Sequence, residues 1–304
     1  MMMDDLNKVT IIIPTYKRPQ FIERAIESCL EQIAVNVEII VIDDNGLGTA
    51  EQLQMEKTLA RYINNGSVKY IAHKRNRRAA AARNTGIKNA TGKYLAFLDD
   101  DDWFENSKLF SQIQAMQATQ SGACLCGFRR VYANKKVDTI PNLQGDLNVE
   151  LLSFNVDHCA GSALIIKKEV VDEVNGFDES FIRHQDIEFI YRVSKVTEIC
   201  VVPKILVNIY MHKENTMKKD ANYLRDNRMH FVNTFREDIN KLEECKKDRV
   251  LDVHYVEIAK AYMKQCLFLD SIRWISRTSN PLKGFYKVGH DALVHFTDRW
   301  EANS

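Results

Sequence analysis

Four consecutive aspartates, Asp99 to Asp102, follow the apolar run Tyr94-Leu95-Ala96-Phe97-Leu98. Carboxylates packed this closely repel one another, so the cluster calls for a compensating positive charge. A divalent cation held by oxygen ligands supplies that charge and bridges to substrate phosphates. Other apolar runs also end in polar residues. The first gives Pro14-Thr15-Tyr16-Lys17-Arg18, the second Asp43-Asp44-Asn45-Gly46, and the third the basic stretch His73 to Arg78. Gathered on one rim, an aromatic ring, six carboxylates and several cations suit a nucleotide. Tyr16 would stack a base, an aspartate would accept from base N–H or ribose hydroxyls, and a metal with arginines would neutralise a diphosphate.

The elements that must position these groups are legible as alternating patterns. Val9–Ile13, Val37–Ile42, Val68–Ala72 and Tyr94–Leu98 read as strands. Residues 19–31, opened by Pro19, then 50–62 and the Ala-rich 79–90, carry helical spacing. Short apolar strands separated by helices predict a largely parallel sheet covered on both faces, whose ligands bind at the strands' C-terminal ends. Beyond residue 105 the pattern mixes. A helix over 108–120 and strands over 123–132, 162–167, 198–202 and 205–211 are expected, with a helix over 185–195 and an irregular stretch over 135–160. From residue 221 the chain reads as all-helical, broken at Pro281 and Gly284. The division expected is a domain over 1–220, with a nucleotide-binding half near 8–104 and an acceptor-binding half near 105–220, followed by a helical extension over 221–304.

The chain has 304 residues, 45% of them hydrophobic, and a net charge of +1. That is enough apolar material for a proper core, and too little positive charge for a dedicated nucleic-acid binder. None of the seven cysteines forms a C-x-x-C pair. They read as buried small hydrophobes in a reducing compartment, without structural zinc. The N-terminus lacks the pattern of a signal peptide, and no apolar run is long enough to span a bilayer. A cytoplasmic location is expected.

Other nucleotide-binding patterns do not fit. There is no G-x-x-x-x-G-K-[ST] loop, and Gly46-Leu47-Gly48 is not G-x-G-x-x-G. Receiver domains cluster aspartates at strand ends but are about half this length. Four segments in order, Val9–Arg18, Ile39–Gly46, Ala82–Gly86 with Gly92–Trp103, and Gly176–Asp186, resemble family 2 glycosyltransferases. The resemblance covers residues 8–212. It implies an α/β GT-A fold, a Rossmann-like, mostly parallel sheet with helices on both faces, here followed by the C-terminal helical extension. It also implies inverting transfer of a sugar from a nucleotide donor, of the kind that builds bacterial surface polysaccharides.

Residue roles follow where the motifs match. Pro14, Thr15 and Tyr16 resemble the loop lining the base, and Asp44 the carboxylate that contacts it, usually uracil. Arg83 resembles the arginine facing the nucleotide, and Arg18 joins the same donor set. Asp99-x-Asp101 resembles the D-x-D motif. Asp101 is then the metal ligand for Mn2+ or Mg2+, and Asp99 or Asp100 faces the ribose, with the register open by one residue. Asp186 resembles the catalytic base, although Gln185 precedes it where most members carry an acidic residue. His212 resembles a late histidine near the diphosphate or metal. Trp103 and His158 are candidates for the acceptor side. The rival functions are a sugar-1-phosphate nucleotidyltransferase and a sugar-nucleotide binder without transferase activity.

Several of these residues have plainer readings. Asp43 would shape its turn. Asp102 would cap a helix or support the site from behind. The basic amphipathic stripe over 258–300, with Ile258, Tyr262, Leu267, Phe268, Trp274, Phe285, Phe296 and Trp300, would pack on the domain or in a homodimer in preference to lying on the inner face of the membrane.

Overall fold

A computed structural model of the protein describes residues 7–156, 161–212 and 220–289. The first part runs β1 (Lys8–Thr15), α1 (Ile22–Leu30), β2 (Asn36–Asp43), α2 (Ala50–Asn64), β3 (Val68–Ala72), α3 (Arg78–Asn89) and β4 (Tyr94–Phe97). Then come β5 (Trp103–Phe104), α4 (Lys108–Thr119), β6 (Ala123–Val131), β7 (Lys136–Thr139), α5 (Leu147–Leu152), β8 (Ile165–Lys167), α6 (Lys168–Glu173), α7 (Gln185–Val196) and β9 (Ile199–Tyr210). Four helices follow, α8 (Ala221–Thr234), α9 (Arg236–Asn240), α10 (Glu244–Lys264) and α11 (Phe268–Ile275), and residues 281–289 are also helical.

The strands form one mixed sheet in the order β3-β2-β1-β4-β8-β6-β9-β5, with β7 beside β6. β1 lies parallel to both β2 and β4, so the chain order reverses across it. The C-terminal ends of β1 and β4 therefore meet at a topological switch point, where such sheets open a crevice. β1 is apolar at consecutive positions because both of its faces are covered. Ile11 and Ile13 join Ile22 and Ile26 of α1 in one core, while Ile12 faces Gly86 of α3 on the other side.

Four local expectations change. Pro19 lies in a turn, and α1 begins at Ile22, because Phe21 caps the helix and its ring packs against Tyr210 and His212. The two late strands are one, β9, with Pro203 and Lys204 bulged out where its pairing to β6 slips between Cys126 and Phe128. Proline is tolerated there because the bulge needs no amide from it. The stretch read as irregular contains β7 and α5. The helical run is interrupted over 276–280, directly before Pro281, which opens the 281–289 helix, whereas Gly284 lies inside that helix and does not break it.

The chain divides into two compact units, residues 1–145 with 156–215, and residues 146–155 with 216–304. In the second, Ile258, Ala259 and Tyr262 of α10 pack with Trp274 and Ile275 of α11 and with Val288. Among the described residues no helix is long and apolar enough to cross a membrane.

Candidate active site

At the switch point the end of β1 touches the segment after β4. Thr15 donates its hydroxyl to Asp100 at 2.7 Å. A cleft of about 400 Å³ opens beside this contact. It is lined by Pro14, Thr15, Tyr16, Arg18, Asp44, Asn76, Arg78, Ala79, Ala82, Arg83, Asp99, Gln185 and Asp186. Eight of the sequence-predicted residues thus share one cavity. Asp100, Asp101, Trp103 and His212 do not line it, and His158 lies outside the described residues.

The four aspartates take four different partners. Asp99 accepts from Arg83 at 2.8 Å. Asp100 is fully buried and holds Thr15, with the Arg18 guanidinium 3.2 Å away. Burial lifts the Asp100 carboxyl to about 7 against the opposing pull of Arg18 and Thr15. Asp101 receives Arg18 and lies 2.8 Å from His212 Nε2. Asp102 accepts from the Ser162 hydroxyl at 2.5 Å and from the Tyr210 amide at 3.1 Å. Burial first, and the charge of Asp99 second, hold the Asp102 carboxyl well above the ordinary carboxylate range. Asp102 therefore ties the aspartate run to β9 and caps no helix, since β5 follows it directly. Of the pair read as facing the ribose, Asp99 alone lines the cleft.

Asp44 lies at the N-terminus of α3. Its Oδ1 accepts from the Arg77 amide at 2.8 Å and sits 2.7 Å from His73 Nδ1, and its Oδ2 accepts from the Arg78 amide at 2.7 Å. A carboxylate there satisfies amides that the helix cannot and meets the positive end of its dipole. One lone pair of Oδ2 remains beyond these bonds. Arg78 has φ +71°, a backbone region that L residues seldom adopt, and it is the member of the basic stretch that lines the cleft together with Asn76. Asp43 is structural, accepting from the Asn45 amide and the Tyr70 hydroxyl.

Arg83 comes from the middle of α3 and is 3% exposed. Its guanidinium reaches Asp99 at 2.8 Å and Asp186 at 3.5 Å. Asp186 stands in the first turn of α7, directed to the cleft after the left-handed His184 (φ +62°). Asn84 fixes the turn leading there. Its side chain donates to the Phe177 carbonyl and accepts from the Phe177 amide, both at 2.8 Å. Asn84 and Ser162 are site residues that the strand-end pattern misses, because neither lies at a strand's C-terminal end. Asn84 does carry a signal, the Ala-Arg-Asn-Thr-Gly motif that contains it. Trp103 is covered by Arg24, whose guanidinium carbon lies 3.9 Å from the ring centre.

A divalent cation needs oxygen or nitrogen donors that converge on one point. No group of three His, Cys, Asp or Glu side chains among the described residues could hold a metal by itself. The Asp101 carboxylate and the His212 imidazole nevertheless converge to 2.8 Å. Two protein ligands of this kind fit an octahedral cation that takes its remaining ligands from water and phosphate, and they do not fit a closed structural zinc site.

This mixed sheet, with its cleft at the β1/β4 switch point, defines a doubly wound α/β fold, and comparison with known proteins gives the family. The glycosyl transferase family 2 model matches residues 10–174, and the chain belongs to that family. An uncharacterized glycosyltransferase of Rickettsia bellii is 30% identical over 220 residues, 69% of this chain and 31% of the relative. The chain spans about a third of the length of the first curated relatives it matches. The crystal structure of S. aureus TarS 1-349 in complex with UDP-GlcNAc matches with a TM-score of 0.60 at 18% identity, over 88% of this chain and 80% of that one. A mannosyltransferase from Pyrobaculum calidifontis in complex with GDP-Man and Mn2+ matches with a TM-score of 0.60 at 15% identity, over 94% and 80%. The fold is GT-A with added C-terminal helices.

Proposed function

We propose that the protein is an inverting glycosyltransferase. It moves a sugar from a nucleotide-sugar donor, a UDP-sugar, to a hydroxyl of a glycan or lipid-linked acceptor, with Mn2+ or Mg2+ as cofactor. The observation that carries this reading is the Arg83 guanidinium between Asp99 and Asp186 in the wall of one cleft. That arrangement supports a reading in which a donor-side carboxylate and a base act on the same bound molecule. Family membership supports the transferase class. The complexes of the two structural relatives support a nucleotide sugar and a divalent cation.

Tyr16 stacks the base, with Pro14 and Thr15 beside it, and the remaining Asp44 lone pair accepts a base N–H. Asp99 accepts from a ribose hydroxyl. Asp101 and His212 hold the cation, which when bound supplies charge neutralisation to the leaving diphosphate. Arg18 and Arg78, which line the cleft along with Arg83, serve the same charge. Asp186 takes the proton of the acceptor hydroxyl while its oxygen attacks the anomeric carbon and the bond to the diphosphate breaks. Attack from the face opposite the departing group inverts the centre, through a transition state of oxocarbenium character. A cytoplasmic location, peripheral contact with the inner face of the membrane and a homodimer belong to this proposal.

The test is a panel of nucleotide sugars incubated with Mn2+ while nucleotide diphosphate and free sugar are followed. UDP should appear from one UDP-sugar. Asp101→Ala should abolish metal-dependent donor binding. Asp186→Asn should keep donor binding and lower transfer by about 10²–10⁴-fold, the usual worth of a general base. Release of pyrophosphate would identify a nucleotidyltransferase instead, and wild-type transfer by Asp186→Asn would remove the assignment of the base.

A further inference from the structure

The apolar residues of the helical unit divide into two sets. On α11, Ser271, Trp274 and Ile275 are buried. Phe268, Leu269 and Ile272 on the same helix are exposed, Leu269 to 84%. Helical spacing places 268, 269 and 272 on one stripe, alongside the one that carries the buried 271, 274 and 275. Residues 281–289 repeat the arrangement. Gly284 and Val288 face inward, and a Cβ on Gly284 would lie 2.9 Å from Ile275 Cγ2. Leu282, Phe285 and Tyr286 are exposed, Leu282 to 83% and Tyr286 to 73%. Single exposed apolar side chains are ordinary, but six on two successive helices that already bury their other faces form a patch.

Residues 264–289 are basic in sequence, with Lys264, Arg273, Arg277, Lys283 and Lys287 against the single acidic Asp270, and Lys283 and Lys287 stand at a groove they share with Asp248, Asp252 and Glu257 of α10. Leucine, phenylalanine and tyrosine flanked by lysine and arginine is the chemistry of a helix that lies in the interface of an anionic bilayer. A second copy of the chain suits the patch poorly, because a two-fold contact opposes the same surface to itself and would bring these cations together. The stripe over 258–300 is expected from sequence to pack on the domain or in a homodimer. Ile258, Tyr262 and Trp274 pack inward, whereas Leu267, Phe268 and Phe285 are exposed.

We propose that α11 and residues 281–289 form a docking surface for an anionic lipid bilayer, lying in its plane with Phe268, Leu269, Ile272, Leu282, Phe285 and Tyr286 in the headgroup and upper acyl region. The inference rests on the helical unit alone. Its test needs no donor, so its failure would leave the transfer reaction untouched.

The full chain is sedimented with vesicles of phosphatidylglycerol and phosphatidylcholine, and with vesicles of phosphatidylcholine alone. The wild type should partition onto the anionic vesicles, less so onto the neutral ones, and less as salt is raised. Leu269→Glu with Leu282→Glu should lower that partition about tenfold per leucine, from the lost apolar burial. Both positions are open to solvent, so the melting temperature should not change. The proposal is overturned if the wild type stays in solution with anionic vesicles, or if the double variant binds them equally well. It is also overturned by a dimer in light scattering that the variant breaks while vesicles bind nothing, which would make the face a copy interface. A large fall in melting temperature without vesicle binding would mean that the chain covers the face itself, and would overturn it too.

Discussion

At Arg18 a guanidinium stands beside the Asp101 carboxylate, the group proposed to hold a divalent cation. It is bonded to Asp101 and lies 3.2 Å from Asp100. The same Asp101 carboxylate lies 2.8 Å from His212 Nε2, so the arginine and a metal would compete for one oxygen. An ion pair made by a partly exposed arginine is worth up to about 1 kcal/mol after solvent screening, or about fivefold in an equilibrium constant. Arg18→Gln should therefore raise the affinity of the nucleotide-free protein for Mn2+ by about fivefold, read as loss of the free Mn2+ paramagnetic resonance signal. An unchanged affinity would mean that the guanidinium leaves Asp101 without cost. The presence of these residues on one rim is legible in the sequence, because strand ends in a parallel sheet share an edge. Their pairings are not. Four adjacent aspartates give no hint that one holds Thr15, one Arg83, one Arg18 and one Ser162.

α3 shows how an element serves the site and the core together. Arg83 reaches the cleft, Asn84 holds the Phe177 turn, Thr85 meets His73, and Gly86 lets the helix lie against β1. A Cβ on Gly86 would lie 2.3 Å from Ile12 Cγ2 and 2.9 Å from its Cγ1, closer than packed atoms approach. Gly86→Ala should cost about 1–3 kcal/mol of stability by overpacking. Ile12→Ala removes the obstructing carbons, so the double variant should lose less than the sum of the two single losses in denaturant melts. Strict additivity would show that the helix moves aside freely. The Ala-rich pattern of α3 is visible in the sequence, as are β1 to β4, since each is a local run with one periodicity. The two-residue β5 and the edge strand β7 are too short to carry a period. They exist because β9 and β6 offer them partners. Pro203 separates two apolar runs and hides that β9 is continuous through a bulge.

The division of the whole molecule depends on contacts that span about a hundred residues in sequence. Asp146 pairs with Lys246 at 2.9 Å, Glu150 with Arg249 at 2.7 Å, and the Leu152 carbonyl with His254 Nε2 at 2.8 Å. Residues 146–155 join the helical unit through these bonds, and no local pattern marks them, so the sequence leaves them in the irregular stretch over 135–160 of the first domain. His254 reports on this unit. Its ring is fully buried between Phe154 and Phe231, and Arg228 lies 3.3 Å from its Nδ1. Burial first, and the nearby guanidinium second, depress its pKa from 6.5 to about 3. Between those values the unfolded chain binds a proton that the folded chain refuses, so stability is fully present above 6.5 and falls as pH drops toward 3. At about pH 5 the loss should reach about 2 kcal/mol, since the unfolded imidazole is then mostly protonated. His254→Gln keeps an N–H for the Leu152 carbonyl and has nothing to titrate. Its unfolding free energy, lower at neutral pH because a shaped ring is lost, should fall less steeply between about pH 7.5 and 5. Equal slopes for the two proteins would move the acid sensitivity to another group, and with it the idea that the 146–155 segment is held by a neutral imidazole.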